Sequence, residues 1–211
     1  MKFKCVIFDC DGVLVDSEAT SIGVIVDLAK EIGHSMNLEA AIAEFSGQSL
    51  QYCFEYIETA SGQKFPPNIN TIYRAQTYQA FKENLQPIAG IHQLLERLTL
   101  PRCVASNAPQ DKIELNLGLL KLTHFFKDNI FSAYDIQKWK PEPDLFLYAA
   151  KEMGFEPKDC LVVEDSLAGV LAAKAGGFEV MGYASARTAA QLKQAGATVF
   201  YDMNLLDNYL V

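Results

Sequence analysis

The 211-residue chain is poor in the residues that build zinc sites, disulfide frameworks and membrane spans. It has three histidines, His34, His92 and His124, far apart and in no recognisable motif. It has five cysteines, an odd number, and none form a Cys-x-x-Cys pair. Cys5, Cys103 and Cys160 sit inside apolar runs, which points to reduced, buried thiols in a cytoplasmic protein rather than to sulfur ligation. No apolar run approaches the roughly 20 residues of a spanning helix. The stretch that opens at Cys5 stops at Asp9, too short for the apolar segment of a signal peptide. No membrane partner is expected. Positive charge is also scarce: 18 Lys and Arg stand against 26 Asp and Glu, a net charge of −8. That excludes sequence-independent nucleic-acid binding, which needs a basic surface. A phosphate-bearing partner would have to be drawn in locally, by a metal or a few placed cations.

What the sequence does have is apolar bulk, half of all residues, enough to bury a sizeable core. Three short runs share one shape. Lys4-Cys5-Val6-Ile7-Phe8 ends in Asp9, Arg102-Cys103-Val104-Ala105 ends in Ser106-Asn107, and Cys160-Leu161-Val162-Val163 ends in Glu164-Asp165. Apolar runs without alternation suit strands buried on both faces of a parallel sheet. The second run is followed by a helical pattern through Leu117, with Pro109 placed for a first turn. The third is followed by one over Ser166–Ala175, stopped by Gly176-Gly177. Phe178–Met181 reads as a further strand. Alternating signals of this kind imply an α/β fold around a parallel sheet.

The stretch from Asp16 to Leu85 differs. Ile22, Ile25, Val26, Ala29 and Ile32 have helical spacing, as do Ala40–Phe45, Tyr52–Ala60 and Ile72–Phe81. It reads as an all-helical insertion, with Pro87 and Gly90 marking the return to the α/β pattern. The expected organisation is a discontinuous Rossmann-like, doubly wound core of residues 1–15 and 88–211, interrupted by a helical domain of residues 16–87.

Ligands of open parallel sheets bind outside the carboxyl ends of the strands. Asp9, Asp11, Ser106, Asn107, Glu164 and Asp165 should therefore face one crevice, four of them carboxylates. Two like charges about 4 Å apart repel by roughly 4 kcal/mol at an effective dielectric near 20. Either some of the acids are protonated or a hard cation sits among them, and oxygen donors point to Mg²⁺. Asp9 and Asp11 are two apart, so in extended chain their side chains share a side. The bland alternatives are turn residues at a strand end, helix caps at Ser106, Asn107 and Asp165, and a solvated lysine at Lys140 with Lys138 as its rival.

Four segments together resemble a known family. Phe8-Asp9-Cys10-Asp11-Gly12-Val13-Leu14-Val15-Asp16-Ser17-Glu18 is similar to motif I of the haloacid dehalogenase superfamily, Ala105-Ser106-Asn107 to motif II, Trp139-Lys140-Pro141-Glu142-Pro143-Asp144 to motif III, and Val163-Glu164-Asp165-Ser166-Leu167-Ala168-Gly169 to motif IV. They occur in the family's order across the whole chain, and the helical insertion resembles the cap of its β-phosphoglucomutase-like branch. Phe131–Pro141 looks most like sugar-phosphate phosphatases of the 6-phosphogluconate phosphatase kind.

The resemblance implies an Mg²⁺-dependent phosphatase acting on a small phosphorylated sugar or sugar acid through an aspartyl-phosphate. Asp9 would be the nucleophile and Asp11 the acid and base. Lys140 would neutralise charge, and Ser106 with the Asn107 backbone would bind the phosphoryl group. The metal would be held by Asp9, the Asp11 backbone carbonyl and Asp165, with Glu164 in support. Gly47 and Gln48 would lie on the substrate-specificity loop. The alternative is a β-phosphoglucomutase-type isomerase. Against it, Leu50 stands where those enzymes carry an arginine, and Ser21 where they carry a histidine. A phosphorylated receiver module lacks the helical insertion, and an idle binding protein has no use for a crowded anionic cleft. A monomer is expected.

Overall fold

The computed structural model describes residues 2–210. The apolar run Cys5–Phe8 is strand β1, buried along its whole length. After a turn, Val15–Asp16 forms the two-residue strand β2. Four helices follow: α1 (Glu18–Glu31), α2 (Leu38–Phe45), α3 (Leu50–Ser61) and α4 (Ile69–Asn84). Strand β3 (Gln86–Pro87) then pairs antiparallel with β2, Asp16 opposite Gln86. Beyond it the chain alternates: α5 (Ile91–Arg97), β4 (Arg102–Ser106), α6 (Gln110–Leu119), α7 (Thr123–Phe126), β5 (Ile130–Ser132), α8 (Ala133–Ile136), α9 (Asp144–Glu152), β6 (Cys160–Glu164), α10 (Leu167–Ala175), β7 (Glu179–Tyr183), α11 (Ala189–Gln194) and β8 (Thr198–Phe200).

The described residues divide into two compact units, one running to Asp16 and resuming at Gln86, the other Ser17–Leu85. Asp16, Gln86 and Pro87 thus fall in the first unit, where β2 and β3 pair with each other as a separate two-stranded ribbon.

The first unit is built on six parallel strands in the order β5-β4-β1-β6-β7-β8. Register puts Phe8 beside both Val104 and Val163. From β1 the chain winds outward to β4 and β5, then returns to β6 on the other side and continues to β7 and β8. Adjacent strands β1 and β6 are therefore left in opposite directions, which opens a crevice at their carboxyl ends. One core cluster covers a face of the sheet, with Ile7, Cys103, Val162, Leu145, Phe146 and Val170 among its buried members. All five cysteines are free and buried.

The helical unit has its own core, in which Ile25, Leu28, Phe45, Phe54 and Ile57 are buried. Two of its helices carry side-chain caps: Asn37 Oδ1 accepts from Ala40 N at 2.7 Å at the start of α2, and Ser49 Oγ from Tyr52 N at 3.1 Å at the start of α3. Gly62 closes α3 in the left-handed region at φ 69°. Helix α6 departs from expectation at its start: Pro109 is its N-cap, in extended conformation, and the first turn begins at Gln110.

Ile7 is fully buried in the central strand. Ile7→Ala is expected to cost about 2–5 kcal/mol by removing buried methylene groups from a site too rigid to collapse, measured as a fall in the denaturant midpoint at unchanged slope.

Candidate active site

The carboxyl end of β1 is fixed by its neighbour: the Asp9 amide donates to Val163 O at 3.0 Å. The chain then turns sharply. Val15 and Leu14 amides donate to Cys10 O, and Gly12 donates to Val15 O at 2.8 Å with φ at 81°. A side chain at Gly12 would be strained by that φ, and its Cβ would overlap the Asp165 carboxylate. Glycine here serves both the turn and the acid that packs on it.

Asp9 meets Lys140 and Glu164 in the interior. Lys140 Nζ donates to Asp9 Oδ1 and to Glu164 Oε1, both at 2.6 Å. All three residues are buried, Glu164 completely. The ammonium also sits 4.7 Å from the centre of the Phe146 ring. Lys138, the rival lysine, is exposed. Asn107 brackets the backbone of Lys140: its Oδ1 accepts from Lys140 N at 2.9 Å and its Nδ2 donates to Lys140 O at 3.4 Å. The side chain of Asn107 is thus spent on placing the lysine.

Glu164 is the hinge between the lysine and the next helix. Its Oε2 accepts from Asp165 N, Ser166 N and Ser166 Oγ, each at 2.9 Å. Ser166, not Asp165, caps α10, accepting from Gly169 N at 3.0 Å. A Cβ on Gly169 would overlap the Glu164 carboxylate. The buried acid occupies the volume that a glycine leaves at a helix N-terminus, where orphan amides favour negative charge.

Asp9, Glu164 and Asp165 bring one carboxylate oxygen each to within 4.8 Å of one another. Burial, then Glu164 and Asp11, push the Asp9 carboxyl up to about 7 against the opposing pull of Lys140. Burial, Glu164, Asp9 and Asp11 likewise hold Asp165 well above the carboxylate range. Burial alone would lower the Lys140 ammonium, but its two acid partners outweigh it and raise it. One buried cation therefore faces three acids. The donor set is all oxygen, with no sulfur or imidazole, and suits a hard divalent cation. Cys10, between the two aspartates, is fully buried, and burial pushes its thiol well up, which leaves it a packing group.

Asp11 lies apart from that trio. Its Oδ2 accepts from Lys112 Nζ, on the first turn of α6, at 2.7 Å. Sequence reasoning missed Lys112, because a lysine on a helix carries no local signal. Only its place one turn beyond the end of β4 could have found it. Ser106 is buried, and its Oγ accepts from Ala108 N at 3.2 Å.

Gly47 and Gln48 belong to the helical unit. There the Gly47 amide donates to the Glu18 carboxylate at 3.2 Å, beside a cavity of about 170 Å³ whose walls include Ser21, Ile25, Phe45, Leu50 and Tyr73. His34 packs edge-on against Tyr56, and His92 and His124 lie beside Phe125.

Residues 6–183 match the family model of haloacid dehalogenase-like hydrolases. The chain belongs to that family. This haloacid dehalogenase-like hydrolase is 36% identical over 180 residues to the 6-phosphogluconate phosphatase of Escherichia coli K12, an alignment covering 85% of this chain and 81% of that one. The crystal structure of a haloacid dehalogenase-like protein from Agrobacterium tumefaciens C58 superposes with a TM-score of 0.88 at 32% identity, covering 99% of this chain and 97% of that one. A family hydrolase from Deinococcus radiodurans R1, solved with bound phosphate and sodium, gives 0.85 at 29% identity, covering 99% and 95%.

Two glycines of the hydrolase should respond oppositely to alanine. Gly169→Ala forces the Glu164 carboxylate aside and is expected to destabilise by about 1–3 kcal/mol. Gly118→Ala in α6, with open space around it, should stabilise by about 0.5–1 kcal/mol through helix propensity. Paired thermal melts check both.

Proposed function

We propose that this hydrolase is an Mg²⁺-dependent phosphatase that cleaves a phosphorylated sugar or sugar acid through a phosphorylated Asp9. The observation that carries the reading is the buried Asp9–Lys140–Glu164 arrangement with Asp165 beside it. Asp165 and Asp9 would hold the metal with the Asp11 backbone carbonyl, and Glu164 would stand behind them on the Lys140 ammonium and the α10 amides. Mg²⁺, when bound, supplies charge neutralisation at the acids and at the phosphoryl oxygens.

The chain's own groups account for the rest. An Asp9 oxygen forms a bond to phosphorus as the ester P–O bond breaks, and the departing oxygen takes a proton from the Asp11 carboxyl. Water then attacks the same phosphorus and gives a proton to Asp11, and the bond from phosphorus to Asp9 breaks to release phosphate. Lys140 keeps its charge throughout and opposes the negative charge that develops beside it. Ser106, at the end of β4, and the amide of Asn107 would receive phosphoryl oxygens.

The sugar or sugar-acid substrate follows from likeness to the 6-phosphogluconate phosphatase. The cavity of the helical unit bears on the isomerase alternative. It is walled by Glu18 and by neutral groups, without a lysine or arginine. A mutase must hold a second phosphate, and this cavity offers it no cation.

The test is phosphate release from a panel of sugar phosphates with Mg²⁺. Turnover is expected, abolished by EDTA and reduced at least about 10³-fold in Asp9→Asn; release that persists in Asp9→Asn refutes the nucleophile. A second prediction uses pH. Asp9 and Asp165 have raised pKa values, so without metal the folded state binds more protons than the unfolded chain between about pH 4 and 7. In EDTA these groups should make stability fall as pH rises through that window. Metal binding must displace those protons, so Mg²⁺ at about 100 times its Kd should raise the melting temperature by about 5–10 °C near pH 8 and by less near pH 5.5. An equal shift at both pH values contradicts it.

A further inference from the structure

We infer that Lys112 is a positioning residue that holds the Asp11 carboxylate in line for proton transfer; the inference rests on the acid–base reading of Asp11 above. Two lysines from different elements divide two aspartates between them. Lys140 grips Asp9 from the loop before α9, and Lys112 reaches Asp11 from α6 at 2.7 Å. The two pairs differ in setting. The Lys140–Asp9 side chains are 3% and 11% exposed, and the Lys112–Asp11 side chains 22% and 30%. Asp11 has left the strand for the Gly12 turn, so strand pairing no longer aims its side chain. The Lys112 ammonium reaches it from α6, a helix seated in the core. Ile113 and Leu117 bury the inner face of that helix completely, and its entry is fixed by the Ser106–Ala108 bond. Lys112 is the neighbour of Ile113 on the first turn, so its stem starts from a fixed point and its ammonium meets the Asp11 carboxylate at 2.7 Å.

A pair this exposed adds little to stability. Its effect lies in placement: general acid–base transfer demands hydrogen-bond reach, and an error near 1 Å can cost about 100-fold. In the first step the proton rests on Asp11 Oδ1, the oxygen Lys112 does not hold, and passes to the departing ester oxygen as the bond from Asp9 to phosphorus forms and the ester P–O bond breaks. A poor leaving group such as an alkyl alcohol needs that proton. A nitrophenolate leaves without it.

The experiment compares wild type, Lys112→Met and Lys112→Arg on an alkyl sugar phosphate and on p-nitrophenyl phosphate, the latter by rapid mixing to read the first turnover. Lys112→Met is expected to lower kcat on the alkyl substrate about 10- to 100-fold with KM changed less than about threefold. First-turnover release of nitrophenolate should stay within about threefold of wild type. Lys112→Arg, which keeps the cation, should recover most of the loss, and the melting temperatures of both variants should match wild type. Equal losses on both substrates, a loss confined to KM, or an unchanged kcat in Lys112→Met would overturn the inference. Wild-type protein that turns over neither ester sinks the phosphatase reading, and an active Asp9→Asn sinks its aspartyl-phosphate route, and this inference falls with either, so those failures are told apart before any Lys112 variant is compared.

Discussion

The ammonium of Lys140, closed between the Asp9 and Glu164 carboxylates at 2.6 Å from each, is the constraint around which the rest of the sheet unit is arranged. A charge moved into a dry interior is costly unless paired and hydrogen-bonded, and here one ammonium is paired with Asp9 and Glu164 while Asp165 brings a third carboxylate oxygen within 4.8 Å of theirs. Each supporting feature keeps that imbalance in place. Asn107 clamps the lysine backbone, the Phe146 ring faces its ammonium, and three donors at the start of α10 saturate one Glu164 oxygen. Gly12 and Gly169 give up the volume that two acids need. What remains is a surplus of negative charge that a divalent cation can resolve.

The sheet supplies the convergence. Side chains from positions 9, 140 and 164 meet because β1 and β6 are neighbours in register, Phe8 beside Val163, and because the chain leaves them in opposite directions. The strands that hold the site were legible in the sequence, since each is an apolar run buried on both faces that ends abruptly in polar residues. Strands β2 and β3 were not: two residues cannot show a period, and they exist only because Asp16 and Gln86 meet across a long insertion. Strands β5 and β8 are edge strands of three residues with exposed or half-buried members, so their burial signal is diluted.

The site was legible to the same degree and for the same reason. Asp9, Glu164 and Asp165 could be named because strand ends are read directly from the runs before them. The choice of Lys140 over Lys138 needed a motif in the sequence; in the structure, burial separates them. The amide of Asn107 could be read as a cap or a phosphate ligand, whereas its side chain binds the Lys140 backbone, 33 residues away. Lys112 was silent, since its partner is 101 residues distant and belongs to another element. Long-range polar pairs leave no periodic trace, and they are where sequence reading stopped.

The helical unit poses a different electrostatic problem. Its cavity has apolar walls, one carboxylate from Glu18 and no basic side chain, in a chain whose net charge is −8. Neither the overall field nor this cavity attracts an anion. On the proposed reading, attraction would come from the sheet edge, from two lysines and the cation the acids would bind, over a range no longer than the ~8–10 Å Debye length at physiological salt. Bringing three acids together, two buried and one half-buried, would on that reading also be a source of selectivity. A divalent cation held by such carboxylates would both admit a phosphate dianion and fix its orientation. Replacing a buried ion cluster with apolar residues of equal volume is often neutral or stabilising, so stability alone gives no reason for these acids, and on the proposed reading the field they set up at the sheet edge does.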